Sequence, residues 1–269
     1  MKPLVVANWK CNPTTLDEAR EILNGVKEGM REIEKVEAII CPPFLYLPYW
    51  VEFFSKKEKK IKLGAQDCFW EEKGAFTGEI SPKQLLNFGC EYVIIGHSER
   101  RRYFGETDKM INKKIKAVIT TKLKPILCIG ESEKERKKGK TFEILKRQLE
   151  NDLKDLSPNT HNLKSLIVAY EPVWAIGTGN ACNPKEAKEV LIFLKKFTHQ
   201  LINSPAQYNS EGIYSGSTNQ LLYGGSVNSE NAKDYIEAGF DGLLVGGASL
   251  NAEEFIKLVR SVELFFKIC

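Results

Sequence analysis

The stretch LIVAYEPVWAIGTG, Leu166 to Gly179, changes character in its middle. An apolar, strand-forming run leads straight into Glu171, Pro172 follows, and an aromatic-aliphatic patch ends in Gly-Thr-Gly. A short run that is apolar almost throughout reads as a strand covered on both faces, as in a parallel sheet. Glu171 then sits on the rim of that strand, with a hydrophobic loop directly behind it.

Working outward, the same kind of run recurs along the chain. Runs begin near Leu4 (LVVANW), Val36 (VEAII), Ile61 (IKLGA), Glu91 (EYVIIG), Lys124 (KPILCIG), Ser165 (SLIVAY), Gln220 (QLLYGG) and Asp241 (DGLLVGG). Between them lie charged segments with helical spacing: TLDEAREILNGVKEGMREI, DKMINKKIKAVITT, TFEILKRQLENDL and NPKEAKEVLIFLKKF. Thr, Asp, Asn or Ser with Pro or Glu close behind marks several of their starts. Eight strand–helix units in alternation predict a single-domain (β/α)8 barrel over residues 1–269, since such barrels commonly run to about 250 residues. An open doubly wound sheet is the alternative that periodicity leaves. One interval, Ser165 to Gln220, is longer than the rest. It contains NSPAQYNSEGIYSGSTNQ, which reads as a polar surface loop over 203–219.

In barrels the site lies at the C-terminal ends of the strands, and the unusual residues of this chain collect there: Asn8 and Lys10, Gln66, His97, Glu171, Gly224-Gly225-Ser226 and Gly246-Gly247. Glu171 is either a turn cap or a carboxylate base whose basicity rises through partial desolvation. The segment behind it favours the base. Val173, Trp174, Ala175 and Ile176 are expected on an exposed loop, which is costly unless some state of the protein covers them. Pro172 stiffens the entry to this loop, and Gly177 and Gly179, on either side of Thr178, loosen its exit, so residues 172–179 read as a lid that excludes water. His97 precedes Ser98 and Glu99, a helix-start signature. The positive end of a helix disfavours imidazolium, so a neutral His97 is expected, donating to a substrate oxygen. Asn8 and Lys10, two apart on a strand, share a face, and Lys10 offers a fixed positive charge. The double glycines of YGGSV and LVGGAS follow the last two strands, where barrels hold phosphate on backbone N–H groups. His161 and His199 receive no role.

Composition narrows the class. The chain has 269 residues, 42% hydrophobic and 28% charged, with a net charge of +4. Its lysine-rich patches KKEKKIK and ERKKGK mix both signs and lack interleaved aromatics, so they read as solvated faces, and no nucleic-acid partner is expected. Seven cysteines, an odd number without a C-x-x-C pair, suit reduced thiols in the cytoplasm. No stretch reaches the ~18 apolar residues of a membrane span. No metal-ligand spacing and no nucleotide fingerprint is present, so neither metal nor cofactor is expected. The set points to proton transfer on a small phosphorylated carbonyl compound.

NWKCN, GAFTGEIS, GHSERR, LCIGE, YEPVWAIGTG, YGGSV and LVGGASL occur in this order across nearly the full chain. Together they resemble the triosephosphate isomerases. The resemblance implies a homodimer that interconverts the three-carbon substrates dihydroxyacetone phosphate and D-glyceraldehyde 3-phosphate, a step of glycolysis and gluconeogenesis. It implies Glu171 as base, His97 as electrophile, Lys10 as electrostatic partner with Asn8 beside it, and Glu99 near Lys10. Gly177, Ser226, Gly246 and Gly247 would contact phosphate. Thr77 would lie at the tip of a loop entering the neighbouring subunit, with Cys11 near the same contact. The chain departs from the family at Asn180-Ala181-Cys182, where Lys-Thr-Ala is usual, at Cys11, and in the polar loop. Another phosphate-binding barrel, such as a sugar-phosphate epimerase, would share the glycine pair but not the lid sequence.

Overall fold

Eight parallel strands close on themselves in sequence order in the computed structural model, which describes residues 2–53, 60–156, 163–202 and 219–268, without the side chains of 52, 53 and 268. They are β1 (Leu4–Asn8), β2 (Glu37–Cys41), β3 (Ile61–Ala65), β4 (Tyr92–Ile95), β5 (Lys124–Ile129), β6 (Ile167–Tyr170), β7 (Leu221–Tyr223) and β8 (Gly242–Val245). All eight apolar runs are strands. Pairing of Leu4 with Gly242 and Ala7 with Val245 shuts the cylinder and removes the open-sheet alternative.

Around it run α1 (Leu16–Gly29), α2 (Leu47–Phe53), α3 (Pro82–Asn87), α4 (Ser98–Tyr103), α5 (Asp108–Thr120), α6 (Glu133–Lys137), α7 (Thr141–Asp152), α8 (Pro184–Ile202), α9 (Ala232–Glu237) and α10 (Ala252–Ile268). Capping boxes start three of them: Thr15 with Glu18, Ser81 with Gln84, and Ser132 with Glu135. In each, two orphan N–H groups are satisfied reciprocally.

The near-continuous apolarity of the strands has a direct cause. Alternate residues face opposite sides, so Leu4, Val6, Ile39, Tyr92, Ile94, Ile126, Ile167, Ala169, Leu222 and Leu244 fill the cylinder. The residues between them, among them Val5, Ala7, Ile40, Val93, Leu127, Val168 and Leu243, pack under the helices. Both sets are buried. The same alternation, carried past the strand ends, turns Asn8, Glu171, Gly224 and Gly246 toward the barrel mouth.

Of the polar stretch 203–219, only Asn219 lies within the described residues. Its Nδ2 donates to the carbonyls of Leu163 and Leu166, at 2.7 and 2.6 Å, tying the entry of β7 to that of β6. Among the described residues no helix is long and apolar enough to cross a membrane.

Candidate active site

A pocket of about 290 Å³ opens at the C-terminal ends of the strands, lined by Asn8, Lys10, His97, Glu171, Gly177, Ser226, Gly246 and Gly247 among others. Residues from five strand ends and the lid therefore meet at one place.

Glu171 continues the inward parity of Ile167 and Ala169 and is only 3% exposed. One carboxylate oxygen lies 3.0 Å from His97 Nε2, and the other accepts the Ser98 N–H at 3.3 Å. Its basicity departs from the sequence expectation. Burial raises its pKa, but His97, the Ser98 amide and Lys10 together outweigh that and hold it below the usual carboxylate range. Desolvation alone was the wrong basis, because the partners, not the burial, decide the sign here.

His97 does not follow from strand alternation. Gly96, at φ +71°, turns the chain out of β4 in a left-handed conformation that side chains other than glycine's rarely adopt. His97 then becomes the N-cap of α4, and its Nδ1 accepts the Glu99 N–H at 3.2 Å. A nitrogen that accepts cannot carry the proton, so the hydrogen-bond pattern assigns a neutral ring protonated at Nε2. Burial lowers the pKa of His97, while the facing Glu171 carboxylate more than offsets it and raises the value. The Glu99 amide favours the neutral ring and the Glu171 carboxylate the protonated one, and a ligand that displaces Glu171 removes the latter influence.

Lys10 sits just past β1 in a left-handed backbone at φ 54°, uncommon for a residue with a side chain. Its N–H donates to Asn8 Oδ1 at 3.1 Å, and Gln66 Nε2 holds the Lys10 carbonyl at 2.8 Å and the Cys41 carbonyl at 3.0 Å. Backbone strain of this kind persists only where surroundings over-determine it. The Lys10 ammonium lies 2.5 Å from Glu99 Oε1, so these two residues form the contact that the family resemblance implied.

The lid differs from expectation in one respect. Val173, Trp174 and Ile176 are half-buried and Ala175 is fully buried, so the apolar residues already pack on the body; only Gly177 to Gly179 are exposed. Residues 173–175 form a 3-10 turn. Trp174 Nε1 donates to Glu131 Oε1 at 3.0 Å, and the Arg136 guanidinium stacks 4.0 Å from the Trp174 ring while pairing with Glu186. Ser226 Oγ donates to the Ala175 carbonyl at 2.5 Å. At the far hinge, the Cys182 N–H donates to Tyr223 Oη at 3.0 Å, and Tyr235 Oη donates to the Cys182 carbonyl at 2.6 Å. The unusual residue at this position therefore keeps both backbone groups held.

Three of these residues carried no role in the sequence reading. Gln66 stood out at a strand end without a partner to explain it. Glu131, buried and accepting both Tyr170 Oη and Trp174 Nε1, was visible as a carboxylate closing the apolar run LCIGE. Arg136 lay in a patch read as solvated, and its stacking on Trp174 left no trace in the spacing.

On the opposite side of the pocket, the 3-10 turn Gly247–Leu250 follows β8. The first N–H groups of such a turn have no preceding carbonyl to bind. Gly246 lies beside Lys10, where a Cβ would make an ordinary contact 3.5 Å from Lys10 Cε, and a Cβ at Gly247 meets nothing within 4 Å. Backbone N–H groups, a lysine and a hydroxyl around a polar pocket suit a small dianion.

Comparison with known proteins points the same way. Residues 3–262 match the family model described as "Triosephosphate isomerase". The chain is 45% identical over 260 residues to a triosephosphate isomerase of Endomicrobium trichonymphae, covering 96% of this chain and 98% of that one. It is 44% identical over 262 residues to one of Aquifex aeolicus, covering 97% and 100%. The crystal structure of triosephosphate isomerase from Bartonella henselae superposes with a TM-score of 0.80 at 33% identity, over 97% of this chain and 99% of that one.

Proposed function

The chain belongs to the triosephosphate isomerase family and interconverts dihydroxyacetone phosphate and D-glyceraldehyde 3-phosphate, and we propose that it does so with Glu171 as the base. Glu171 takes a proton from the hydroxymethyl carbon of the ketone as the carbonyl oxygen becomes an enediolate. His97 donates from Nε2 to that oxygen. Lys10 and Asn8 balance the growing negative charge. The hydroxyl proton passes from the first oxygen to the second, and return of the carbon-bound proton to the neighbouring carbon completes the aldehyde, with no net gain or loss of atoms.

The single observation that carries this reading is the 3.0 Å contact between the Glu171 carboxylate and His97 Nε2 inside the pocket. The two groups satisfy each other across the pocket. A substrate that enters between them separates the pair, taking the His97 donor for its own oxygen. Glu171 then loses its strongest lowering partner while burial persists, so its basicity rises when the acidic C–H bond arrives. The lid, hinged on Gly177 and Gly179 with φ of +70° and +75°, closes over the ligand and expels water. The N–H groups of Gly177, Ser226, Gly246 and Gly247 are assigned to the phosphate.

We also assign a homodimer. Leu45 (81% exposed), Tyr49, Phe76, Tyr103 and Phe104 (68%) are large apolar side chains on segments that follow β2, β3 and β4. Exposed Cys11 and Thr77 follow β1 and β3, so the set lies on the half of the rim formed by β1 to β4. A patch of this kind on one side of a barrel fits an interface with a second copy. A cytoplasmic location is consistent with Cys11, Cys41, Cys68, Cys90, Cys128 and Cys182 being free thiols.

A structure with bound dihydroxyacetone phosphate tests the site. The expected result is phosphate on the N–H groups of Gly177, Ser226 and Gly247 and the reacting carbons about 3–3.5 Å from the Glu171 carboxylate. Phosphate held elsewhere, with Glu171 remote from the carbons, overturns the assignment.

A further inference from the structure

We propose that Gln148, on α7 and outside the substrate pocket, is a positioning residue that fixes the backbone of Glu171 through Gly130; the proposal rests on Glu171 being the base.

The argument begins at a sheet edge. In a parallel strand, successive peptides bond to opposite neighbours. Along β5 and its continuation, Lys124 bonds to the β4 side, donating to the Glu91 carbonyl at 2.9 Å. The alternating peptides Ile129 and Glu131 bond to the β6 side, accepting the N–H groups of Glu171 at 2.8 Å and Val173 at 3.1 Å. Cys128 and Gly130 therefore face β4. But β4 ends at Ile95, and Gly96 turns the chain away. With Ile95 paired to Leu127, the Cys128 carbonyl and both groups of Gly130 extend past the last residue of the strand that should pair with them.

Two side chains take its place. Arg101 Nη2 donates to the Cys128 carbonyl at 3.2 Å. Gln148 does more. Its Oε1 accepts the Gly130 N–H at 2.9 Å, and its Nε2 donates to the Gly130 carbonyl at 3.2 Å. A carboxamide reproduces both hydrogen bonds of a peptide, so the Gln148 side chain acts as one residue of the missing strand. It is 6% exposed, so water does not readily substitute for it.

Gly130 passes this restraint directly to the base. A Cβ on Gly130 would lie 1.7 Å from the Glu171 carbonyl oxygen and 2.6 Å from its carbonyl carbon. The two backbones are in van der Waals contact with no room for a methyl group. Gly130 is thus wedged between Gln148 on one side and the Glu171 peptide on the other. Sequence position gave no hint of it, because the helix residue and its strand partner are 18 apart and the contact is through the main chain.

The experiment compares Gln148→Leu, Gln148→Glu and Glu171→Gln by steady-state kinetics across pH, with thermal unfolding as a check on folding. Gln148→Leu is expected to lower kcat about ten- to a hundred-fold with KM changed less than about threefold, because a small displacement of the base costs rate rather than binding. Gln148→Glu supplies the readout that a purely structural role does not move. Protonated, its carboxyl still accepts from the Gly130 N–H and donates to the carbonyl; ionised, it cannot donate and leaves the Gly130 carbonyl unpaired. Its kcat is therefore expected near wild type at about pH 6 and to fall relative to wild type by about pH 9, since buried carboxyls titrate in that range. Wild-type kcat in Gln148→Leu overturns the positioning role. So does a Gln148→Glu/wild-type ratio that is flat with pH. If Glu171→Gln itself turns over normally, the base assignment fails instead, and the two failures are distinguishable.

Discussion

Two buried glutamates stand at the ends of neighbouring strands, and they behave in opposite ways. Glu131, after β5, is 0% exposed; Glu171, after β6, is 3% exposed. Burial pushes both carboxyls up. Glu131 finds only neutral donors, Trp174 Nε1 and Tyr170 Oη, with Arg136 more distant, and its pKa stays raised. Glu171 meets His97, the Ser98 amide and Lys10, and its pKa is lowered. Depth does not distinguish the group assigned to chemistry from the group that anchors the lid. The partners do, and only one of these pairings can be taken apart by a ligand.

The largest break in this comparison is expected from exchanging carboxylate for carboxamide at each position. Glu171→Gln removes the base and should lower kcat by about 10² to 10⁴ with substrate still bound; turnover near wild type in a coupled assay contradicts the assignment. Lys10→Met removes the charge facing the pocket and should lower kcat/KM by about 10² or more, through both binding and rate. An unchanged kcat/KM excludes that role. Glu131→Gln has one acceptor oxygen where two donors converge. Its turnover should fall less than tenfold, while its melting temperature drops by about 2–10 °C, for a loss of about 1–3 kcal/mol. A hundred-fold loss of kcat there would erase the contrast between the two glutamates.

The smallest effect is the sharpest. Since Glu171 has a lowered folded-state pKa, its contribution to stability is present above the ordinary carboxyl value of about 4.3 and lost as pH falls through the folded value. Glu131 has a raised one, so its contribution is present below about 4.3 and lost as pH rises through the folded value. Stability of wild type relative to each variant should therefore slope in opposite directions with pH. Denaturant unfolding at several pH values reads this, and parallel slopes would remove the distinction.

The sequence carried some of these features and not others for physical reasons. Strand alternation is local, so the runs beginning at Leu4, Ser165, Gln220 and Asp241 were enough to turn Asn8, Glu171 and Gly246 to one end. His97 escaped that rule because Gly96 breaks it, and the helix-start pattern of Ser98 and Glu99 supplied the position instead. The sign of the Glu171 shift is not legible in the spacing, since it depends on His97 approaching from far along the chain. The pairing of Lys10 with Glu99 was equally invisible to spacing and came through family likeness alone. The lid reads as exposed because VWAI looks unpartnered in one dimension; Glu131, just past β5, and Arg136, on α6, which receive Trp174, belong to the preceding strand–helix unit.

The central claim is that the Glu171 carboxylate removes and returns the carbon-bound proton. Turnover in D2O tests it most directly, with residual substrate and product analysed for carbon-bound deuterium. Wild type should incorporate solvent deuterium as it isomerises, while folded, substrate-binding Glu171→Gln should incorporate at least about 10²-fold more slowly. Deuterium entering at the wild-type rate without that carboxylate would mean another group moves the proton.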